Sequence, residues 1–300
     1  MLFRSPVPIE TPGRDKVAVI VASGNILDGD HPPGQIGGDS VARLVREARN
    51  RDSVKAIVLR VDSPGGSASA SELIRSELTL TQHSGKPVVA SFSGVAASGG
   101  YWIASTANRI YATETTITGS IGVFSVFPTA EQTLAKLGIA NDGVGTTSLS
   151  GAFDSTRSIN PMFAKALQLS VDQTYDKFIS LVAEGRNMAS ADVDAIAQGR
   201  VWTGAQAQEN GLVDAIGGID DAIASAATLA GLDEYETIYL EKGLSPQEQL
   251  LQQLLDAGVS LGSGLPNQVL TNLQRELGTL MTITSQPGVY LHCLSCSINL

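Results

Sequence analysis

The chain has 300 residues, of which 43% are hydrophobic, and a formal net charge of −10 at pH 7. This composition predicts a globular protein with one domain of catalytic size and an appendage. It argues against a nucleic-acid-binding protein, because the chain has no Lys/Arg-rich run that would displace counterions from phosphates. We also expect no bilayer-spanning segment and no signal peptide in these residues, since no apolar run has the required length and residues 1–6 lack an apolar core.

Three regions are predicted along the chain. Residues 1–15 are rich in proline and polar residues, as in a linker. Residues 16–240 form the main domain, and residues 241–300 form a helical extension with a Cys-containing tail. The helix predicted to begin at Ser245 carries a leucine stripe that would pack on the same domain or on a neighbouring subunit.

The two cysteines, Cys293 and Cys296, both lie in the predicted tail. A metal site would need further ligands, and neither His31 nor His83 has metal-binding spacing, so we predict no metal. A redox pair and a packed tail are both consistent with the two cysteines.

Short β-rich apolar runs alternate with helical patterns through the main domain. This alternation predicts a parallel sheet flanked by helices, with right-handed crossovers and a site at the carboxyl ends of the strands. In chain order, the elements are a strand at 16–22, a long loop at 23–39, a helix capped at 39–40, a strand at 55–62, a helix at 69–83, a strand at 87–93, a helix at 96–107, a strand at 109–113, a small-residue turn at 116–123, a polar loop at 141–160, helices from 161 to 185, after 204 and at 219–230, and a strand at 236–240.

Two glycine-bearing turns follow successive strands of this pattern. Residues 62–66 read DSPGG, and residues 93–102 read SGVAASGGYW. Glycine lets backbone N–H groups approach a ligand closely, and unpaired amides at a helix N-terminus stabilise the negative charge of a tetrahedral acyl-transfer intermediate. Together the turns predict Ser98 as a nucleophile that faces an oxyanion hole. For each turn alone, tight packing is the favoured interpretation, and only their joint placement favours a site.

A serine hydroxyl needs a base within hydrogen-bonding distance. The positions of His31, His83 and His292 give little support to a Ser-His-Asp triad. A lysine can replace histidine when burial keeps its amine neutral. Among the seven lysines, only Lys136 is a candidate for an internal base.

Four motifs in this sequence resemble the signal peptide peptidase A family, also called protease IV. They are VDSPGGS at 61–67, SGVAASGGYW at 93–102, TGSIGV at 118–123 and GRVWTG at 199–204. The resemblance covers about residues 16–260 and implies a Clp-protease/crotonase-like α/β fold. It also implies a serine peptidase that cuts apolar peptides, such as released signal peptides, with a Ser/Lys dyad and without a cofactor. Carried over by residue, it implies Ser98 as the nucleophile and the backbone N–H groups of Gly66 and Gly99 as the oxyanion hole.

The lysine of the dyad does not carry over. In the family's short form it lies in a loop after the TGSIG-like motif, but here residues 146–157 read TTSLSGAFDSTR, and the guanidinium of Arg157 does not deprotonate. In the long form, two homologous halves are joined and the amino-terminal half supplies the lysine. The resemblance thus implies that this chain corresponds to the carboxyl-terminal half and takes its base from a lysine-bearing half or subunit. It further implies a homo-oligomeric ring at the periplasmic side of a bacterial inner membrane.

Two other functions remain open from the sequence. The chain could be a non-catalytic assembly module of a peptidase ring, or a crotonase-like acyl-CoA enzyme. The second would normally need carboxylates near the site, and residues 91–107 contain no Asp or Glu. Apolar residues at Ile26, Leu27, Ile36 and 123–127 either line a groove for an extended peptide or belong to the core.

Overall fold

The computed structural model describes residues 13–241 and 289–292. The strands are β1 Lys16–Ser23, β2 Ile26–Leu27, β3 Ile36–Gly37, β4 Val54–Ser63, β5 Gly65–Ser67, β6 Val88–Ala97, β7 Arg109–Ala112, β8 Ile117–Gly119, β9 Phe124–Ser125, β10 Val201–Thr203, β11 Ala215–Ile216, β12 Glu236–Leu240 and β13 Val289–His292. The helices are α1 Gly38–Asn50, α2 Ala68–His83, α3 Gly99–Ala104, α4 Glu131–Lys136, α5 Pro161–Arg186, α6 Ser190–Ile196, α7 Gly204–Glu209 and α8 Ile219–Leu229.

The larger sheet follows the order β10-β8-β6-β4-β1-β12, and β7 pairs with β6 and β11 beside this path. Its pairs are parallel except for β10 with β8. Parallel strands are joined through crossovers that place helices on the faces of the sheet, which is why their sequences are apolar almost throughout. The predicted parallel α/β sheet is confirmed.

The core lies on both faces of this sheet because successive side chains of a strand point in opposite directions. On one face, Ile20 and Leu59 belong to the large cluster that includes residues of α1, α2, α3 and α5. On the other face, Val19 and Val58 pack in a smaller cluster with Ala222 and Ala226 of α8. The central strands are therefore covered on both sides, which fixes the position of their carboxyl ends.

A second, smaller sheet has the order β3-β2-β5-β13-β9. Two of its strands, β2 and β3, lie in the segment 23–39, so the prediction of one continuous loop there was wrong. A two-residue strand gives no periodic pattern in the sequence, and only its hydrogen-bonding partners define it.

The helix predicted at 96–107 was also wrong in its bounds. The strand β6 continues to Ala97, and α3 spans only Gly99–Ala104. Alanine and serine fit a strand that is flanked closely on both sides, as β6 is by β4 and β8. The long helix predicted from 161 to 185 is confirmed as α5, where the side chain of Asn160 accepts hydrogen bonds from the first amides.

The helix predicted at Ser245, the two cysteines and Lys242 lie outside the described residues. Among the described helices, none combines the length and apolar character that crossing a bilayer requires.

Candidate active site

Ser98 lies at the sharp turn between β6 and α3. Its φ of 53° and ψ of −115° are unusual for a residue with a Cβ, and its side chain is 1% exposed. Two hydrogen bonds hold the turn: the Ser98 amide donates to the Gly119 carbonyl at 2.9 Å, and the Trp102 amide donates to the Ser98 carbonyl at 2.9 Å. A serine on a strained strand-to-helix turn is the arrangement that presents a nucleophile in α/β hydrolases.

The hydroxyl of Ser98 is buried, and its Oγ has no hydrogen-bond partner among the described residues. Burying a hydroxyl without a partner costs free energy, so such groups are concentrated at sites where another molecule completes the bonding. In the part of the chain that the structure describes, the hydroxyl therefore makes no structural hydrogen bond.

Two consecutive glycines follow the serine and begin α3. The first amides of a helix have no acceptor within the helix, so the N–H of Gly99 is not used by α3 itself. A Cβ on Gly100 would lie 2.6 Å from the Ser63 carbonyl oxygen of β4. The absence of that Cβ lets α3 pack directly against the strand that leads to β5.

The strand β5 carries the other predicted oxyanion residue, Gly66, and packs against α3. Gly66 has a φ of +151°, and a Cβ there would lie 2.0 Å from the Ile26 carbonyl oxygen. The amide of Gly65 donates to Ser63 Oγ at 3.1 Å, and Ser67 donates to Asp28 Oδ2 at 2.8 Å. The structure thus places Ser98 and Gly99 at the start of α3 and Gly66 on β5, the strand against which α3 packs.

A carboxylate from α2 also contacts α3. Glu72 accepts hydrogen bonds from Trp102 Nε1 at 2.9 Å and from Arg75, and it forms an ion pair with Lys177 of α5 at 2.9 Å. Burial by itself would raise the pKa of Glu72, but the hydrogen bonds from Arg75, Lys177 and Trp102 outweigh it and lower the pKa to about 2. The Glu72 carboxylate thus links α2, α3 and α5 next to the Ser98 turn.

Glu72 is not among the predicted site residues, because it lies on α2, outside the segment 91–107 around the nucleophile. The available signal was the spacing of Glu72 and Arg75 on one face of α2, which is typical of a helix ion pair. Nothing in the sequence indicated that Trp102 would complete it.

No lysine of the described residues hydrogen-bonds to Ser98 Oγ, which has no hydrogen-bond partner there. Lys136 is exposed on α4, a helix without buried residues. Lys177 is paired with Glu72, and Lys86 donates to the carbonyl oxygens of Arg49 and Arg51 at 2.6 and 2.7 Å.

The remaining candidates also lie apart from the turn. His31 is half-buried, and His83 is exposed in the last turn of α2. Arg157, in the segment where the family's short form carries its lysine, is bound to Asp154 at 3.2 Å.

The apolar groove residues divide between core and surface. Ile26 and Ile36 are fully buried, in agreement with the core alternative. Phe124 of β9 is half-buried and Val126 is exposed, so this part of the predicted groove lies at the surface.

Residues 81–233 match the profile of Peptidase family S49. The chain belongs to peptidase family S49. It is 42% identical to Protease 4 of Salmonella typhi over an alignment of 302 positions, which covers 97% of this chain and 48% of that protein. It is 36% identical to the putative protease slr0021 of Synechocystis over 257 residues, which are 83% of this chain and 90% of that protein. The predicted family resemblance is confirmed, and so is the prediction of a peptidase at the level of the family.

A solved structure supports the fold of this S49 chain. The S97A mutant of the 1510-N membrane-bound stomatin-specific protease aligns with a TM-score of 0.50 at 15% identity, over 77% of this chain and all of that one. The predicted Clp/crotonase-like fold class is confirmed. The chain spans about half the length of the Protease 4 relatives that it matches.

Proposed function

We propose that this chain is the nucleophile-bearing part of a serine endopeptidase that cleaves apolar peptides such as released signal peptides. The observation that carries the proposal is Ser98 itself: it is buried, lies at a positive φ between β6 and α3, and has no partner for its Oγ among the described residues. A hydroxyl in this environment has no structural hydrogen bond to lose when it reacts.

In the proposed reaction, Ser98 Oγ attacks the peptide carbonyl carbon while a neutral lysine amine accepts the hydroxyl proton. The carbonyl oxygen becomes an oxyanion, which accepts hydrogen bonds from the amides of Gly66 and Gly99. The C–N bond then breaks as the lysine returns the proton to the leaving amine, and an acyl-enzyme ester forms on Ser98. Water hydrolyses this ester through the same oxyanion contacts.

The lysine is proposed to come from a homologous half or subunit. Lys136, the only internal candidate, is exposed on α4, whereas a lysine base needs burial. The coverage of about half of the Protease 4 relatives supports a contribution from a further segment. We propose that the two parts meet in a ring, at the periplasmic side of a bacterial inner membrane as the family resemblance implies.

The test is the hydrolysis of a fluorogenic signal-peptide-like peptide by this chain alone and by the chain mixed with a lysine-bearing half. We expect almost no hydrolysis by the chain alone, and in the mixture a loss of about a thousandfold or more on Ser98→Ala. Lys136→Ala is the matched variant and should leave the rate of the mixture unchanged.

Three outcomes would overturn the proposal. Restored hydrolysis with Ser98→Ala in the mixture would remove Ser98 as the nucleophile. A folded mixture without Ser98-dependent cleavage would favour the non-catalytic assembly module, and binding of an acyl-CoA would favour the crotonase-like enzyme.

A further inference from the structure

The strand β6 contains a bulge shortly before the turn that carries the proposed nucleophile. Val61 of β4 lies opposite Phe92 of β6. Two residues further along β4, Ser63 lies opposite Ala96, which is four residues further along β6. The extra length is taken up by residues 93–95, the β6 bulge, where β6 also changes its other partner from β7 to β8. Bulges bend a strand and redirect the side chains that follow, and they are common next to active sites.

Side chains from both neighbouring strands hold the backbone of the β6 bulge. Backbone groups that a bulge removes from the regular ladder need other hydrogen-bond partners. Arg60 of β4 donates from Nη1 to the Phe92 carbonyl oxygen at 3.0 Å. Thr116, directly before β8, donates from Oγ1 to the Ser93 carbonyl oxygen at 2.7 Å. The bulge is therefore attached to β4 on one side and to the start of β8 on the other.

A third side chain, that of Asp62, binds the last residue of the bulge. Asp62 is the β4 residue between the two register pairs, and its Oδ1 accepts a hydrogen bond from the Val95 amide at 3.0 Å. A hydrogen bond to a carboxylate is stronger than one between neutral groups. The Asp62 carbonyl oxygen accepts from the Gly24 amide at 2.9 Å, so the backbone of Asp62 is itself held from the β1 side. Since Asp62 is exposed, it contributes little to the packing of the core.

The segment between the bulge and Ser98 is short and fixed. The Ala96 carbonyl oxygen accepts from Thr118 Oγ1 at 2.7 Å, and the Ser98 amide donates to the Gly119 carbonyl oxygen at 2.9 Å. Ala96 and the residue after it are fully buried. A packed segment of this kind moves as a unit, so a displacement of Val95 would be passed on to Ser98.

We propose that Asp62 is a positioning residue: through the Val95 amide it pins the β6 bulge, and the bulge sets where Ser98 Oγ lies relative to the substrate carbonyl. The inference rests on the proposed function. Misplacing a reacting group by about 1 Å can cost about a hundredfold in rate. Because such a change acts on the chemical step, it lowers kcat and leaves KM nearly unchanged.

The first test measures hydrolysis of the fluorogenic signal-peptide-like peptide by the chain mixed with a lysine-bearing half. We expect Asp62→Ala to lower kcat by about tenfold to a hundredfold and to change KM by less than about twofold. Asp62→Asn keeps an oxygen acceptor for the Val95 amide, so it should retain kcat within about threefold. The matched control is Asp221→Ala, which removes an exposed carboxylate that accepts from the Gly218 amide at 2.7 Å at the start of α8, and it should leave kcat unchanged.

The second test needs neither hydrolysis nor the lysine. Hydrogen–deuterium exchange of the chain alone, followed by mass spectrometry, reports on the peptide that covers residues 93–98. Asp62→Ala should accelerate exchange in this peptide by about tenfold, whereas Asp221→Ala should leave it unchanged. Unchanged exchange in the remaining strands of the larger sheet verifies that Asp62→Ala is folded.

Three results would overturn the proposal. Unchanged exchange of residues 93–98 in Asp62→Ala would show that the bulge does not depend on the carboxylate. An equal loss of kcat in Asp62→Asn and Asp62→Ala would show that Asp62 acts through its charge, and a raised KM with unchanged kcat would assign it to substrate binding. Absence of Ser98-dependent hydrolysis in the parent mixture is instead a failure of the proposed function, and the exchange measurement then still decides whether Asp62 holds the β6 bulge.

Discussion

The turn around Ser98 carries the proposed nucleophile, and the segment 126–160 includes the region where the family's short form has its lysine. The two regions differ in how deeply they are buried. The turn is enclosed by the sheet and three helices, and every residue of α3 is buried. In the segment 126–160 most residues are exposed, and α4 has no buried residue. The two regions follow each other closely in the chain but share little of the core.

This difference in burial indicates that the chain by itself fixes the nucleophile but not the base. The position of a nucleophile is fixed when its turn is part of a packed core, because such cores do not deform continuously. A base must be equally fixed and also buried, and the exposed segment offers neither condition. A lysine on a second polypeptide part that covers that segment would meet both conditions, in line with the proposed source of the base.

The largest effect should come from a substitution at Gly66 of β5, the strand that packs beside the Ser98 turn. Gly66→Ala places a Cβ 2.0 Å from the Ile26 carbonyl oxygen at a φ of +151°, so both overlap and conformational strain oppose it. We expect the free energy of unfolding to fall by about 3 kcal/mol or more, with loss of peptide hydrolysis in the mixture. Urea unfolding followed by circular dichroism measures the first effect.

The control for Gly66 is Gly85→Ala. Gly85 has a φ of +88° but nothing within 4 Å of a Cβ, so it carries only the conformational cost, about 1 kcal/mol. If both variants lose the same free energy of unfolding, the close approach of β5 to β2 does not determine the cost of Gly66→Ala.

The next effect concerns the charge that joins α2, α3 and α5. The pKa of Glu72 is lowered in the folded protein to about 2 from 4.5, so its carboxylate stabilises the fold above pH 4.5 and loses that contribution as the pH falls toward 2. Glu72→Gln keeps the shape and an acceptor for Trp102. We expect it to cost about 1–2 kcal/mol at pH 7, allowing for solvent screening of a side chain that is 25% exposed.

The measurement is the urea midpoint of both proteins at pH 7, 4 and 2.5, and the difference between them should shrink on acidification. Glu47→Gln is the matched control, because Glu47 pairs with Arg51 on the exposed face of α1 and should change the midpoint little. A constant difference over this pH range would show that Glu72 acts through packing and not through its charge.

The sequence predicted the parallel sheet because buried parallel strands leave continuous apolar runs such as residues 16–22. It also predicted the neighbourhood of Ser98, Gly99 and Gly66, because glycine turns at strand ends meet at one edge of the sheet. It missed β5, β9 and β13, whose two to four residues are defined by their partners. It missed the contact of Glu72 with Trp102, since 30 residues separate the two and the contact depends on how α2 packs on α3.

The smallest effect is expected at Lys136, and Lys86 provides the comparison. Lys86 donates to carbonyl oxygens at the end of α1, so Lys86→Ala should lower the free energy of unfolding by about 1–2 kcal/mol. Lys136→Ala removes an exposed side chain of α4 and should change it by less than about 0.5 kcal/mol. If Lys136→Ala proves as destabilising as Lys86→Ala in the chain alone, the segment 126–160 is already packed and does not need a second part to cover it. If it is neutral in the chain alone and leaves the rate of the mixture unchanged, Lys136 contributes neither to the fold nor to the chemistry, as a base supplied from outside requires.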